Sequence, residues 1–223
     1  MTAFCLPRVA LKRATLTTLC VATLAAALGG CAPLLLGGLA TGGVLVATDR
    51  RTSGTQLEDE GIELRSASRL REQLGERGHI NVTSFNRQAL LTGEVPSEAD
   101  KTKAERTVTQ VDNVRSVVNE LVVAGTSTLS QRSNDALVSG RVKAALVDAR
   151  DLTVHAFKVV TERGTVYLLG RVTQREASRA TDVVRGVQGV QRVVRVLEII
   201  TEEELARLAP KPAAAPASAP PQQ

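Results

Sequence analysis

The sequence has no tryptophan, one tyrosine and three phenylalanines in 223 residues. Proteins that bind single-stranded nucleic acid stack bases on aromatic rings beside basic groups. Past the N-terminal segment this chain offers only Phe85, Phe157 and Tyr167, so no nucleic-acid partner is expected. Histidine is as scarce. His79 and His155 stand alone, one before an expected strand and one within it, with no partner to tune a catalytic imidazole. The Cys/His spacings of metal sites are missing, and no serine sits in a nucleophile elbow. The sequence therefore assigns no catalytic, cofactor-binding or metal-ligating residue, and the chain is expected not to be an enzyme. The acidic run Glu58-Asp59-Glu60 reads as a solvated part of a connector.

A long apolar run is also lacking. Ala14 to Leu28 is uncharged, but its fifteen residues fall short of the ~20 that span a bilayer. Arg8, Lys12 and Arg13 precede it, and Leu28-Gly29-Gly30-Cys31 closes it. A basic start, a short apolar stretch and small residues at its end mark a secretory signal peptide. The closing tetrapeptide resembles the lipobox of bacterial lipoproteins. That resemblance implies cleavage before Cys31 and fatty acylation of Cys31, each buried CH₂ contributing about 0.8 kcal/mol to membrane anchoring. Ala32, where an inner-membrane retention signal carries Asp, implies the outer membrane, facing the periplasm. Cys5 and Cys20 leave with the signal, so the mature chain has no thiol for an intramolecular disulfide. The net charge of +5 shrinks as well: without the signal, 25 basic residues face 23 acidic ones.

What is present is a repeat. LLTGEV (90–95) and VDNVRSVVNEL (111–121) return as YLLGRV (167–172) and VQGVQRVVRVL (187–197). INVTSF (80–85) aligns with LTVHAF (152–157), which gives the second copy a longer hairpin with Arg163-Gly164 at its turn. Each copy reads as helix, strand, strand, helix, strand. In copy one, Leu64, Ala67, Leu70 and Leu74 recur at helical spacing, Ile80 to Ser84 alternates as a strand, Ala89 to Thr92 returns, Pro96-Ser97 opens a helix to Gln110, and Val114 to Val123 is the last strand. In copy two the elements fall near 135–150, 152–160, 164–171, 174–186 and 190–200. The fold class is α+β: two small two-layer modules, each a three-stranded sheet carrying two helices. Gly93 and Gly170 are each expected to end a strand at a close approach or a positive φ.

Gly170, Val172, Gly189, Val190 and Val193 give the second copy the pattern of a BON domain, and the chain resembles the dual-BON outer-membrane lipoproteins. TDRRTSGTQLEDE (48–60), SND (133–135) and TERGTVYLLGRVTQREA (161–177) carry the likeness in order. The expected organisation is a lipoprotein signal peptide at 1–30, a lipidated N-terminus and tether at 31–58, BON domain 1 at 59–125, a linker at 126–132, BON domain 2 at 133–201 and a disordered Ala/Pro-rich tail at 202–223. The resemblance implies αββαβ modules without catalysis, a role in envelope integrity with enrichment at division sites, and a link to the machinery that assembles outer-membrane β-barrels. It also implies binding of anionic phospholipid by the first helix of the second domain. At Leu137 the family carries a tryptophan. Leucine keeps apolar insertion and gives up the interfacial anchor that an indole provides.

The residues of that helix speak for themselves. Val138, Val142, Ala145, Leu146 and Ala149 form one face, the expected core side. Leu137, Gly140, Ala144 and Val147 form a second apolar strip, with Arg141 on one border and Lys143 and Arg150 on the other. Apolar groups flanked by snorkelling cations suit an anionic lipid surface. The same strip is equally consistent with burial of Leu137 and Val147 against the first copy or the connector. Residues 59–125 hold 9 basic and 11 acidic side chains, and 133–201 hold 11 and 7, so the second module is the cationic one. The expected partner is thus the membrane, through the acyl anchor and anionic phospholipid. The alternative is a protein-binding adaptor for outer-membrane assembly or division machinery, with no lipid specificity of its own.

Overall fold

The computed structural model describes residues 49–75 and 77–208. The expected signal peptide, Cys31, the glycine-rich part of the tether up to Thr48 and the tail from Ala209 lie outside the described residues.

The first helix begins ahead of the boundary expected for the first module at residue 59. Helix α1 runs from Ser53 to Leu74, so residues 53–58 belong to the helix and not to a tether. Thr52 caps it, its Oγ1 accepting the Thr55 N–H at 3.2 Å. Arg51 fixes the entry. Its guanidinium donates to Asp49 at 2.7 Å and to Asp59 at 2.8 Å, and lies 4.2 Å from the centroid of the Phe85 ring. The buried face of α1 is Asp59, Ile62, Ser66, Leu70 and Leu74. Leu64 and Ala67, which share the helical spacing of Leu70 and Leu74, are exposed, Leu64 by 74%. The stripe is set one step round the helix because the carboxylate of Asp59, not an apolar side chain, makes the first inward contact.

Strands β1 (His79–Phe85) and β2 (Gln88–Val95) form an antiparallel hairpin. Helix α2 (Glu98–Thr109) follows, its N-terminus capped by Ser97, whose Oγ accepts the Asp100 N–H at 3.1 Å. Strands β3 (Ser116–Asn119) and β4 (Val122–Val123) then run parallel to β2 in one continuous register. The single last strand expected from Val114 to Val123 is broken where Leu121 turns into the core, its N–H donating to Asn119 Oδ1 at 3.2 Å.

The second module repeats this plan with α3 (Leu129–Asp148), a 3₁₀ turn (Val154–Ala156), β5 (Phe157–Glu162), β6 (Thr165–Thr173), α4 (Gln174–Arg185) and β7 (Arg192–Ile200). Two further expectations are corrected here. Helix α3 starts at Leu129 inside the supposed linker, because Thr128 and Gln131 make a reciprocal capping box. The hairpins are equally long: Ile80 faces Gly93 and Phe157 faces Gly170, so INVTSF matches FKVVTE and not LTVHAF. Residues 152–156 form the 3₁₀ approach, not strand. A short helix α5 (Glu202–Leu208) replaces the first part of the expected tail, tied back by Glu204 to Arg171 at 2.6 Å.

Gly93 and Gly170 sit within strands, not at their ends. A Cβ on Gly93 would meet the His79 carbonyl oxygen at 1.9 Å, and one on Gly170 would meet the Ala156 oxygen at 2.3 Å. Only a residue without a side chain lets the neighbouring backbone, strand β1 in one module and the 3₁₀ turn in the other, approach this closely.

In each module both helices cover one face of the sheet. Ala89 and Leu91 of β2 join the α1/α2 core, and Val166 and Leu168 of β6 join the α3/α4 core. The residues between them point the other way. Phe85 and Leu90 of the first sheet meet Tyr167, Leu169 and Val196 of the second in a third apolar cluster. The modules thus pack through their helix-free sheet faces, giving helices, sheet, sheet, helices. Full burial of a leucine such as Leu90 or Leu169 contributes about 1.5–3 kcal/mol, so this cluster is a substantial bond between the modules. Ion pairs rim it: Lys158 with Glu63 at 2.7 Å, Arg192 with Glu120 at 2.9 Å and Arg115 with Glu198 at 3.3 Å. Arg50, beside Arg51, forks onto Glu176 with two 2.7 Å bonds. Adjacent arginines therefore bind opposite modules, Arg51 the first and Arg50 the second.

Candidate functional site

The first helix of each module is held to its hairpin by the same device. Both hairpin turns place two residues at positive φ, Asn86 and Arg87 in one and Arg163 and Gly164 in the other. Such turns leave two backbone N–H groups pointing inward. Asp59 accepts those of Asn86 and Arg87 at 2.8 and 2.7 Å, and Asp135 accepts those of Arg163 and Gly164 at 2.8 and 2.9 Å. Asp59 is 2% exposed, so the middle residue of the acidic run at 58–60 is buried within α1, while Glu60 faces solvent. A buried carboxylate is acceptable here because charge-assisted bonds satisfy it.

On α3, Asp135, Val138, Val142 and Leu146 are buried against β5, β6 and α4. Gly189, at φ +96°, lets the loop after α4 close on this helix; a Cβ there would stand 2.8 Å from Val138 Cγ2. With one face committed to the core, the opposite face is turned out. Every residue proposed from the sequence lies on the exposed side: Leu137, Gly140, Arg141, Lys143, Ala144, Val147 and Arg150. Leu137 is 61% exposed and Val147 60%, so neither is buried against the first module or the connector.

Sequence reasoning missed Leu129. It is 80% exposed and extends the strip by two turns, because α3 begins six residues before the sequence pattern indicates. The capping signature Thr128-x-x-Gln131 could have located it. Leu129, Ser133, Gly140 and Val147 fall along one line, a strip of about 27 Å at 1.5 Å per residue. Lys143 and Arg150 flank it on one side and Arg141 on the other. Arg141 also donates to the Gln188 carbonyl at 3.4 Å. No salt bridge among the described residues involves Arg141, Lys143 or Arg150. The equivalent surface of α1 also exposes leucines, Leu57 by 70% and Leu64 by 74%, but Glu60 and Glu72 border them. The two helices offer similar apolar relief, but the border is mainly basic on α3 and mixed on α1, where the exposed Arg71 lies in line with Leu64. No described helix is long and apolar enough to cross a membrane.

A family model for the BON domain matches residues 59–125 and 134–201, and the chain belongs to this family, with two copies of the domain. Its relatives narrow the class further. The chain is 37% identical over 159 residues to the outer membrane lipoprotein DolP of Haemophilus influenzae, a match that spans 70% of this chain and 81% of that protein, and it is a DolP-like BON protein. It is 31% identical over 142 residues to a 21 kDa hemolysin of Actinobacillus pleuropneumoniae, spanning 63% of this chain and 73% of that one. Among solved structures, the C-terminal domain of CdsD, a structural protein of the type III secretion system of Chlamydia trachomatis, matches 60% of this chain and 96% of its own. That match has a TM-score of 0.27 and 13% identity, a likeness that carries no argument.

Proposed function

We propose that this protein is a non-enzymatic lipoprotein of the outer membrane that faces the periplasm and docks on anionic phospholipid through α3. The observation that carries the reading is a helix apolar on both sides: one face fills the core, and the other exposes Leu129, Leu137 and Val147 between Lys143, Arg150 and Arg141. Acyl chains on Cys31 supply the stronger membrane attachment, and α3 a weaker one sensitive to lipid charge. Two attachments on one chain act together by effective concentration, which gathers the protein where anionic lipid is dense. Support of envelope integrity at division sites follows from that enrichment, and the similarity to an outer membrane lipoprotein is consistent with it.

The test is flotation of residues 49–223, which hold both module cores, with phosphatidylglycerol-containing or phosphatidylcholine vesicles. The expected result is flotation with the anionic vesicles alone, lost at high salt and in Leu137→Glu. Absence of flotation with either lipid overturns the lipid reading and makes the strip a docking face for an assembly or division protein.

A further inference from the structure

Where the modules meet, three ligand-bearing side chains converge that no local spacing connects. His79 opens β1, Glu94 lies in β2 as its cross-strand partner, and Glu162 ends β5 in the other module. One ligand atom from each lies within 4.8 Å of the others. Sheet-on-sheet packing makes the encounter: Asn81, next but one to His79, donates to Glu162 Oε2 at 3.1 Å.

Several features of this cluster call for a cation. Glu94 has no exposed surface and Glu162 is 8% exposed. Arg163, 3.2 Å from Glu94, supplies one positive charge against two carboxylates. Burial, then the charges of Glu94 and Asp135, push the Glu162 carboxyl above the usual carboxylate range, although the Asn81 bond and His79 work against them. His79 Nδ1 is buried without a hydrogen-bond partner and stands 3.5 Å from Glu94 Oε2. A buried ring nitrogen with no hydrogen-bond partner, beside the fully buried Glu94 carboxylate, has the chemistry of a metal ligand.

We propose that His79, Glu94 and Glu162 form a zinc-class divalent cation site that bridges the two BON modules. One imidazole nitrogen with two carboxylate oxygens suits zinc, whose fourth position then falls to water. Calcium and magnesium prefer six or more oxygen ligands and fit poorly. Bonds of about 2.0–2.2 Å place tetrahedral ligands roughly 3.3 Å apart. His79 and Glu162 close that gap by side-chain rotation, while Glu94 stays fixed. Its Oε1 accepts from Arg163 and its Oε2 from the Ser127 N–H at 3.2 Å, and such outer partners orient metal-binding carboxylates. Because the ligands come from both modules, the ion favours the packed arrangement over any separated one.

The chain has two histidines, so imidazole NMR of the full chain during a zinc titration reads each one separately. The expected result is a shift of the His79 ring signals that saturates at one equivalent, with a rise in Tm. Glu162→Gln should weaken binding by more than about tenfold, the loss that even removal of an outer partner brings. His155→Ala should leave binding unchanged. Undisturbed His79 signals at saturating zinc, unaltered affinity in Glu162→Gln, or binding that disappears with His155→Ala would each overturn the proposal. His79→Ala should abolish binding, and Glu162→Gln keeps the test decisive if that variant does not fold.

Discussion

Asp135 holds Gly164: its Oδ1 accepts the Gly164 N–H at 2.9 Å, while Oδ2 takes that of Arg163 at 2.8 Å. One side chain of α3 therefore fixes the hairpin of its module, as Asp59 does in the other. Truncation to alanine strands two inward N–H groups, and charge-assisted bonds of this kind are worth about 1.5–3 kcal/mol each. Asp135→Ala and Asp59→Ala should each cost at least ~2 kcal/mol, and Asp135→Asn, which keeps one acceptor, should cost less. Urea unfolding measures this as a lower midpoint with an unchanged slope. A midpoint equal to that of the unaltered protein would show the turn to be held by other means.

Much of this architecture was legible in the residues, because periodicity reports which faces are buried. Val138, Val142 and Leu146 recur at helical spacing and all three are fully buried. Leu90-Leu91 and Val166-Tyr167-Leu168-Leu169 carried a further message. Consecutive apolar residues in a strand mean burial on both faces, so the sheets needed a cover beyond their own helices. The helix starts were less legible. Asp59 reads as solvated and Asp135 carries no signal in sequence, since their partners are backbone N–H groups more than two dozen residues away. The cluster of His79, Glu94 and Glu162 left no local trace, since its members meet only through strand register and module packing.

Burial opposes ionisation of Glu176, but the Arg50 fork and the Thr173 N–H outweigh it and hold the carboxyl below the usual carboxylate range. A carboxyl with a lower pKa folded than unfolded stabilises the fold above its ordinary value of 4.5, and that stability drains as pH falls through the folded value. Glu176→Gln should therefore flatten the loss of Tm below pH 4.5. Arg50→Ala should cost about 3–5 kcal/mol at neutral pH, because it leaves a buried carboxylate unpaired, and the penalty should shrink on acidification. Thermal melts across the acid range read both. Parallel pH profiles for all three proteins would contradict the assignment.

Leu169 is fully buried and belongs to the cluster between the sheets, not to either module's own core. Leu169→Ala should cost about 2–5 kcal/mol, as large-to-small changes in a packed interior do. Because the cavity lies between the modules, hydrogen exchange should rise in β2 and β6 together. A rise confined to β6 would mean that the modules do not share this cluster in solution.

Leu129 and Leu64 make the sharpest comparison of the two outward faces. Both are exposed leucines on first helices, by 80% and 74%, so replacement should leave stability within about 0.5 kcal/mol. Their charged surroundings differ: Lys143, Arg150 and Arg141 flank the strip that Leu129 extends, whereas Leu64 has a mixed border of Glu60, Glu72 and Arg71. Each basic residue near an anionic leaflet adds roughly 1 kcal/mol of attraction, and a mixed border with more acidic than basic groups gives no such gain. Leu129→Glu should abolish flotation with phosphatidylglycerol vesicles as Leu137→Glu does, whereas Leu64→Glu should not affect it. Lys143→Glu should weaken binding and reduce its dependence on salt. Equal losses from Leu64→Glu and Leu129→Glu would mean that exposed apolar surface alone drives adsorption, and the charge pattern around α3 would then have no part in choosing the lipid.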